Sequence, residues 1–300
     1  MRRARIGVIG GSGLYRMEGL TDVSEIGIKT PFGAPSDAFL MGRLGEVEVA
    51  FLARHGRSHS LLPHEIPYRA NTHAFKQLGV EYLISVSAVG SLAEDIRPLD
   101  LVLPRQFLDL TKQRSSTFFG GGAVAHVSMA DPVCAQLEQT MADAATEVAS
   151  NDVQVHRGGT YVCIEGPAFS TRAESHWYRS MNASVIGMTN MPEAKLAREA
   201  EIAYATLALV TDWDCWHPHQ ACVTAELAIA NLQQNATRAQ QVVSATVRRL
   251  AKLWPESLAH RALDSALVTP PSAIPETTRR RLGVLLARFD TSAQGNALAK

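Results

Sequence analysis

The 300-residue chain has little that would place it outside a reducing, aqueous compartment. It carries only four cysteines, Cys134, Cys163, Cys215 and Cys222, too sparse for a disulfide framework. No uninterrupted apolar run approaches the roughly eighteen residues of a membrane span. The basic start Met1-Arg2-Arg3-Ala4-Arg5 leads into a short strand-like segment, without the long apolar core of a secretion signal. Neither sign of charge is in excess: Lys plus Arg and Asp plus Glu both number 29. No global field therefore draws the chain to nucleic acid or to an anionic membrane, and any anion site must be local. The expectation is a cytoplasmic protein with neither kind of partner.

Several catalytic signatures are also missing. A nucleophile elbow, Gly-x-Ser-x-Gly around Ser12, needs glycine at position 14, where the chain has Leu14. The phosphate-binding Gly-x-x-x-x-Gly-Lys-Ser/Thr pattern is absent, and the first strand is not followed by a full dinucleotide fingerprint. Cys215, His217, His219 and Cys222 come nearest to a metal cluster. Zinc sites place cysteine pairs about two to four residues apart and histidine pairs about three to five, which this run does not match. No metal is expected.

The composition, 46% hydrophobic and 19% charged, is that of a globular protein long enough to bury a substantial core. Strand-like segments at 5–9, 38–44, 47–53, 82–87, 160–164, 184–188 and 202–210 alternate with helical ones. The helices are expected at 68–78, from Asp131-Pro132 onward, after the capping box Thr171 to Glu174, at 192–199, and from Thr224 to about 253. Ala88-Val89-Gly90-Ser91 reads as a loop. This alternation predicts an α/β single domain with a mixed, mainly parallel sheet flanked by helices. Residues 259–300 read as a C-terminal extension, helical in part with a loose tail.

The strand ends collect chemistry. Gly10-Gly11-Ser12-Gly13, Arg54-His55, Ser87-Ala88 and Thr189 each follow a strand. In a mainly parallel sheet these ends converge, placing hydroxyls, amides and a guanidinium around one anion, for which phosphate fits best. Thr211-Asp212-Trp213-Asp214-Cys215-Trp216 follows the last strand. On an extended segment Asp212 and Asp214 share a face, and acids walled by indoles suit a flat, nitrogen-rich heterocycle. The same run also reads as an ordinary polar turn.

Together these stretches resemble the purine nucleoside phosphorylase superfamily, most closely its 5'-methylthioadenosine phosphorylase branch. The resemblance rests on Ile9-Gly10-Gly11-Ser12-Gly13-Leu14, Thr30-Pro31-Phe32-Gly33, Leu52-Ala53-Arg54-His55-Gly56-Arg57, Glu165-Gly166-Pro167-Ala168-Phe169-Ser170, Gly187-Met188-Thr189-Asn190-Met191-Pro192-Glu193 and the run from Thr211 to Trp216. It implies a nucleoside phosphorylase fold, with residues 1–258 as the catalytic domain. The implied reaction is attack of phosphate on C1' of a nucleoside, through an oxocarbenium-like transition state. For 5'-methylthioadenosine the products are adenine and 5-methylthioribose 1-phosphate.

The resemblance also implies roles. Ser12, Arg54, His55, Ser87, Ala88 and Thr189 would hold phosphate, and Met188 would lie under the ribose. Phe169, Ser170, Asp212 and Asp214 would surround the purine, with Asp212 as the proton partner of N7 and Asp214 supporting it. Ala225 and Ala228 fall where the branch tends to have valines around the 5'-substituent, which implies a roomier pocket. His126 lies in a loop that resembles one reaching a neighbour's site, so a homotrimer is implied. No cofactor is implied, phosphate being a co-substrate. A 6-oxopurine phosphorylase would carry asparagine for Asp212 and glutamate for Ser170. A broader-specificity phosphorylase, a water-using nucleosidase and a non-catalytic purine-binding protein are the alternatives.

Overall fold

The structure is a computed structural model that describes residues 2–11, 13–14, 17–220 and 222–289. Ser12 and the tail at 290–300, both singled out above, lie outside the described residues. Strands β1 (Ile6–Gly10), β2 (Leu20–Ile26), β3 (Phe39–Leu44) and β4 (Val47–Ala53) precede helix α1 (Tyr68–Gln77). Then follow β5 (Tyr82–Ser91), β6 (Leu101–Leu103), β7 (Gln106–Asp109), α2 (Ala135–Val148), β8 (Val155–Arg157) and β9 (Thr160–Cys163). The chain continues through α3 (Arg172–Ser180), β10 (Val185–Gly187), α4 (Asn190–Glu199), β11 (Ala203–Asp212), α5 (Ala225–Leu253) and α6 (Glu276–Leu282). Among the described residues no helix is long and apolar enough to cross a membrane.

The eleven strands described form one mixed sheet, mostly parallel, in which β5 is central. Along one edge β5 pairs with β11 in parallel. Along the other it pairs first with β1, up to Ser85, and then antiparallel with β10, from Gly90. The strand therefore continues to Ser91 where the sequence suggests a loop at Ala88, because Gly90 and Ser91 find partners in Ile186 and Val185. Between Ser85 and Gly90 no described strand covers that edge, which leaves a notch in the middle of the sheet.

The central strands β1 and β11 are buried throughout, as a sheet covered on both faces requires, and successive side chains enter opposite cores. Tyr204, Ala208 and Val210 of β11 join α1, α4 and the C-terminal Leu263, Leu282 and Leu285 in one core. Ala203, Ala205, Leu207 and Leu209 join α2 and α5 in the other. The segment after 258 thus shares the main core. Helix α2 starts at Ala135 rather than after Asp131-Pro132, because the Cys134 amide donates to the Tyr204 carbonyl and Val133 is drawn into the core. The Thr171 capping box and the Thr224 cap form as the sequence suggests.

Candidate active site

A cavity of about 370 Å³ opens at the notch. It is lined by His55, Ser87, Ala88, Phe169, Ser170, Met188, Thr189, Asp212, Asp214, Ala225 and Ala228, eleven residues singled out in the sequence. A larger groove, about 480 Å³, lies elsewhere, between Arg3, Arg5, Glu48 and Trp254. Half of its lining residues are charged and none is an expected site residue, so the chemistry belongs to the smaller cavity.

One end of the cavity is built from hydroxyls. The Ser87 and Thr189 oxygens stand 3.3 Å apart. Thr189 is the N-cap of α4, yet its side chain makes no capping bond, so the hydroxyl stays available to a ligand. Ala88 is exposed within an otherwise buried strand and lies in the uncovered notch. His55 Nδ1 is 2.8 Å from the Leu61 carbonyl, an acceptor only, so Nδ1 carries the proton. Burial pushes the His55 pKa down to about 4. The ring is then neutral at pH 7, with Nε2 as a bare acceptor.

Arg54 is placed differently from the other anion candidates. It does not line the cavity: its side chain is buried, and its fork is taken by Glu193, with Nε to Oε2 at 2.8 Å and Nη2 to Oε1 at 3.0 Å. Nη1 donates to the Val86 carbonyl and Nη2 also to Ser85 Oγ. Burial alone would lower its pKa, but the charge and hydrogen bonds of Glu193 outweigh burial and raise it. Arg54 thus stands behind the notch and ties β1, β4 and β5 to α4.

The opposite end holds the two acids, both about 95% buried or more, Asp212 at 4% and Asp214 at 3% exposure. They do not share a face of an extended segment. The β5 pairing skips Thr211, with Val210 opposite Val89 and Asp212 opposite Gly90, a bulge that re-aims the Asp212 side chain. Asn231 of α5 donates to the Thr211 carbonyl. Asp214 then sits at φ 50°, and its amide donates to Asp212 Oδ1 at 2.8 Å. Thr211 Oγ1 donates to Oδ2 at 2.7 Å.

Burial raises the Asp212 pKa against the pull of those two bonds. Asp214 is raised by burial first and by the Asp212 charge, against the Ser175 and Ser170 hydroxyls. Those hydroxyls are buried and close no bond of good geometry, although Ser170 as a residue lines the cavity. Nor do the indoles wall the cavity. Trp216 donates to the Ser91 carbonyl and packs against Trp213 and Arg179, away from the lining, and Phe169 is the aromatic ring that faces it.

The first turns of α5 close one side. Ala225, Ala228, Ile229 and Leu232 all line the cavity, an i, i+3, i+4, i+7 stripe of which the sequence reading named only the alanines, although helical spacing extends it to the other two. Leu61, Leu62 and Pro63 were also missed, and no local signal marks them. Arg114 had no signal either: it is buried and donates to the carbonyls of Met188, Met191 and Glu165, besides pairing with the Glu165 carboxylate. It fixes the two loops that carry Met188 and Phe169. His126 is exposed and does not line the cavity of its own chain. Cys215 is buried, with its sulfur on the Ser170 carbonyl, whereas Cys222 is exposed beside Arg172. Among the described residues no group of three or more potential ligands could hold a metal.

Fold and cavity together are those of a nucleoside phosphorylase, and residues 5–248 match the sequence pattern of the phosphorylase superfamily. The chain belongs to that superfamily. It is 60% identical over 286 residues to the S-methyl-5'-thioadenosine phosphorylase of Thermosynechococcus vestitus, covering 95% of this chain and 99% of that one. It is 54% identical to the protein of the same name from Geobacter sulfurreducens, covering 95% and 98%. The crystal structure of a methylthioadenosine phosphorylase from an antarctic soil metagenomic library superposes with a TM-score of 0.92 at 59% identity, covering 95% of this chain and 100% of that one. The Schistosoma mansoni methylthioadenosine phosphorylase in complex with adenine gives 0.77 at 34% identity, covering 84% and 93%.

Proposed function

We propose that this chain catalyses phosphorolysis of 5'-methylthioadenosine to adenine and 5-methylthioribose 1-phosphate, a salvage reaction. One observation carries the reading: a single cavity of about 370 Å³ is lined both by the neighbouring hydroxyls of Ser87 and Thr189 and by two buried acids of raised pKa. Inorganic phosphate is the co-substrate, and the residues need no cofactor for this reaction.

Phosphate would sit at the notch, held by the hydroxyls of Ser12, Ser87 and Thr189 and the Ala88 backbone, with the Arg54 charge behind them. His55 Nε2, a bare acceptor, would take a hydrogen bond from the P–OH of monohydrogen phosphate. Met188 would support the ribose, and Phe169 and Ser170 the purine. As the N-glycosidic bond breaks, its electrons pass to the base and positive charge grows on the sugar, which the phosphate dianion stabilises. Asp212 would deliver a proton to N7 of the departing adenine, and an oxygen of phosphate closes the bond to C1'. Asp214 would hold Asp212 and the exocyclic amine. Ala225 and Ala228 would leave room beside the 5'-substituent.

Residues 1–258 would form the catalytic unit, with the described part of the C-terminal extension, 259–289, buttressing it through Leu263, Leu282 and Leu285. His126, exposed on its own chain, would complete a neighbour's site in a homotrimer. Four free cysteines suit a reducing cytoplasm. The acceptor oxygens of Asp214 and of protonated Asp212, which keeps one when its proton faces N7, favour an exocyclic amine over a 6-oxo group, since mismatched buried polar groups are strongly disfavoured.

With methylthioadenosine, adenosine, methylthioinosine and inosine supplied with and without phosphate, adenine release from methylthioadenosine should be fastest and should require phosphate. Base release without phosphate would sink the phosphorylase reading, and faster hypoxanthine release would sink the preference for adenine.

A further inference from the structure

Behind the two hydroxyls of the anion end lies a third. Tyr161 of β9 is fully buried and does not line the cavity, but its phenol oxygen is 3.3 Å from Ser87 Oγ, which is itself 3.3 Å from Thr189 Oγ1. Room for the phenol comes from Gly187 of β10. A Cβ there would lie 1.9 Å from the phenol oxygen and 2.5 Å from Cζ. Gly187 has no left-handed backbone angle to account for it, so the space taken by Tyr161 is what its missing side chain provides.

Proton accounting gives this contact a consequence. Each hydroxyl has one proton to donate and lone pairs to accept with. Burial pushes the Tyr161 pKa up to about 12, against the pull of the Ser87 and Thr189 hydroxyls, so the phenol keeps a proton that it can donate to Ser87. Ser87 Oγ points its own proton at the Ala88 carbonyl over a long 3.3 Å, and once it accepts from Tyr161 it can turn that proton from this weak bond to an anion in the cavity. Without the phenol, Ser87 would satisfy its lone pair with the Thr189 proton, and the anion would lose a donor. The separations of 3.3 Å exceed the usual 2.7 to 2.8 Å or so of such bonds, so the three hydroxyls are arranged but not locked to one another.

We propose that Tyr161 is a positioning residue for the phosphate end of the site, acting through Ser87, and that Gly187 is the space that admits it. The inference rests on the phosphorolysis reading. It predicts that Tyr161→Phe, which removes one oxygen, raises the KM for phosphate about ten- to a hundredfold, the effect of one hydrogen bond to a charged group, while the KM for the nucleoside stays unchanged.

The test is a double-mutant cycle on the purified full chain, with Ser87→Ala as the second change and both KM values read for each variant. Phosphate dependence of the unaltered protein is measured first; its absence overturns the phosphorolysis reading and this inference with it. Given that dependence, the expected result is a selective rise for Tyr161→Phe that disappears in the Ser87→Ala background. An unchanged phosphate KM, an equal rise in both KM values, or additive effects of the two changes overturns the role assigned to Tyr161. Thermal melting of each variant separates these outcomes from loss of fold.

Discussion

Asp212→Asn is expected to lower turnover of methylthioadenosine by about two to four orders of magnitude, the usual contribution of a positioned proton donor, without destabilising the protein. The carboxyl is buried with one hydroxyl and one amide as partners and no cation. Asparagine keeps an oxygen to accept from the Asp214 amide. The pH dependence carries the sign. Burial raises the native Asp212 pKa, so the folded state holds the proton more tightly than the unfolded chain. That contribution is complete below the unfolded aspartate value of about 3.9 and is lost as pH rises through the higher native value. Asparagine does not titrate, so the variant's melting temperature should gain on the wild type as pH rises above the unfolded aspartate value of about 3.9. Near-normal turnover would remove Asp212 from the mechanism, and a widening stability deficit with rising pH would contradict the buried, proton-holding acid.

Arg54→Ala is expected to destabilise the fold by about 3 to 5 kcal/mol, the cost of leaving one member of a buried ion pair alone. Glu193 would retain only the hydroxyls of Ser85 and Tyr204, each at 2.9 Å, too little to compensate a carboxylate shut from water. For a chain of this size that corresponds to a drop in melting temperature on the order of 10 °C. Glu193→Ala should produce a loss of similar size although Glu193 lines no part of the cavity. Phosphate saturation should weaken too, since the notch loses the charge behind it. Thermal melts and phosphate titrations of both variants check this, and an Arg54→Ala protein as stable as wild type would refute the buried pair as a structural tie.

The two cases show where a linear sequence carries the site and where it does not. Convergence of Ser87, Ala88, Thr189 and Asp212 was legible because a mainly parallel sheet gathers strand ends, and hydrophobic runs mark the strands. The Thr171 and Thr224 caps were legible because capping is local. Arg54 was visible as a cation at a strand end, but its partner Glu193 lies 139 positions away, and no local pattern says that the fork is occupied. The two acids do meet at the cavity, but not in the way an extended segment would bring them. A bulge at Thr211 and a left-handed turn at Asp214, rather than an extended strand, bring them together. The indoles that flank them in sequence pack elsewhere, because alternation on paper does not survive that turn. Tyr161 and Gly187 carry no sign of their relation until β9 and β10 are laid side by side.

The central claim is that one cavity joins phosphate to C1' while an acid releases the base. Following methylthioadenosine and inorganic phosphate by phosphorus NMR as adenine appears tests it most directly. The expected result is one sugar 1-phosphate formed for each adenine released, with inorganic phosphate consumed in step. Adenine accompanied by free 5-methylthioribose and unchanged phosphate would contradict the account.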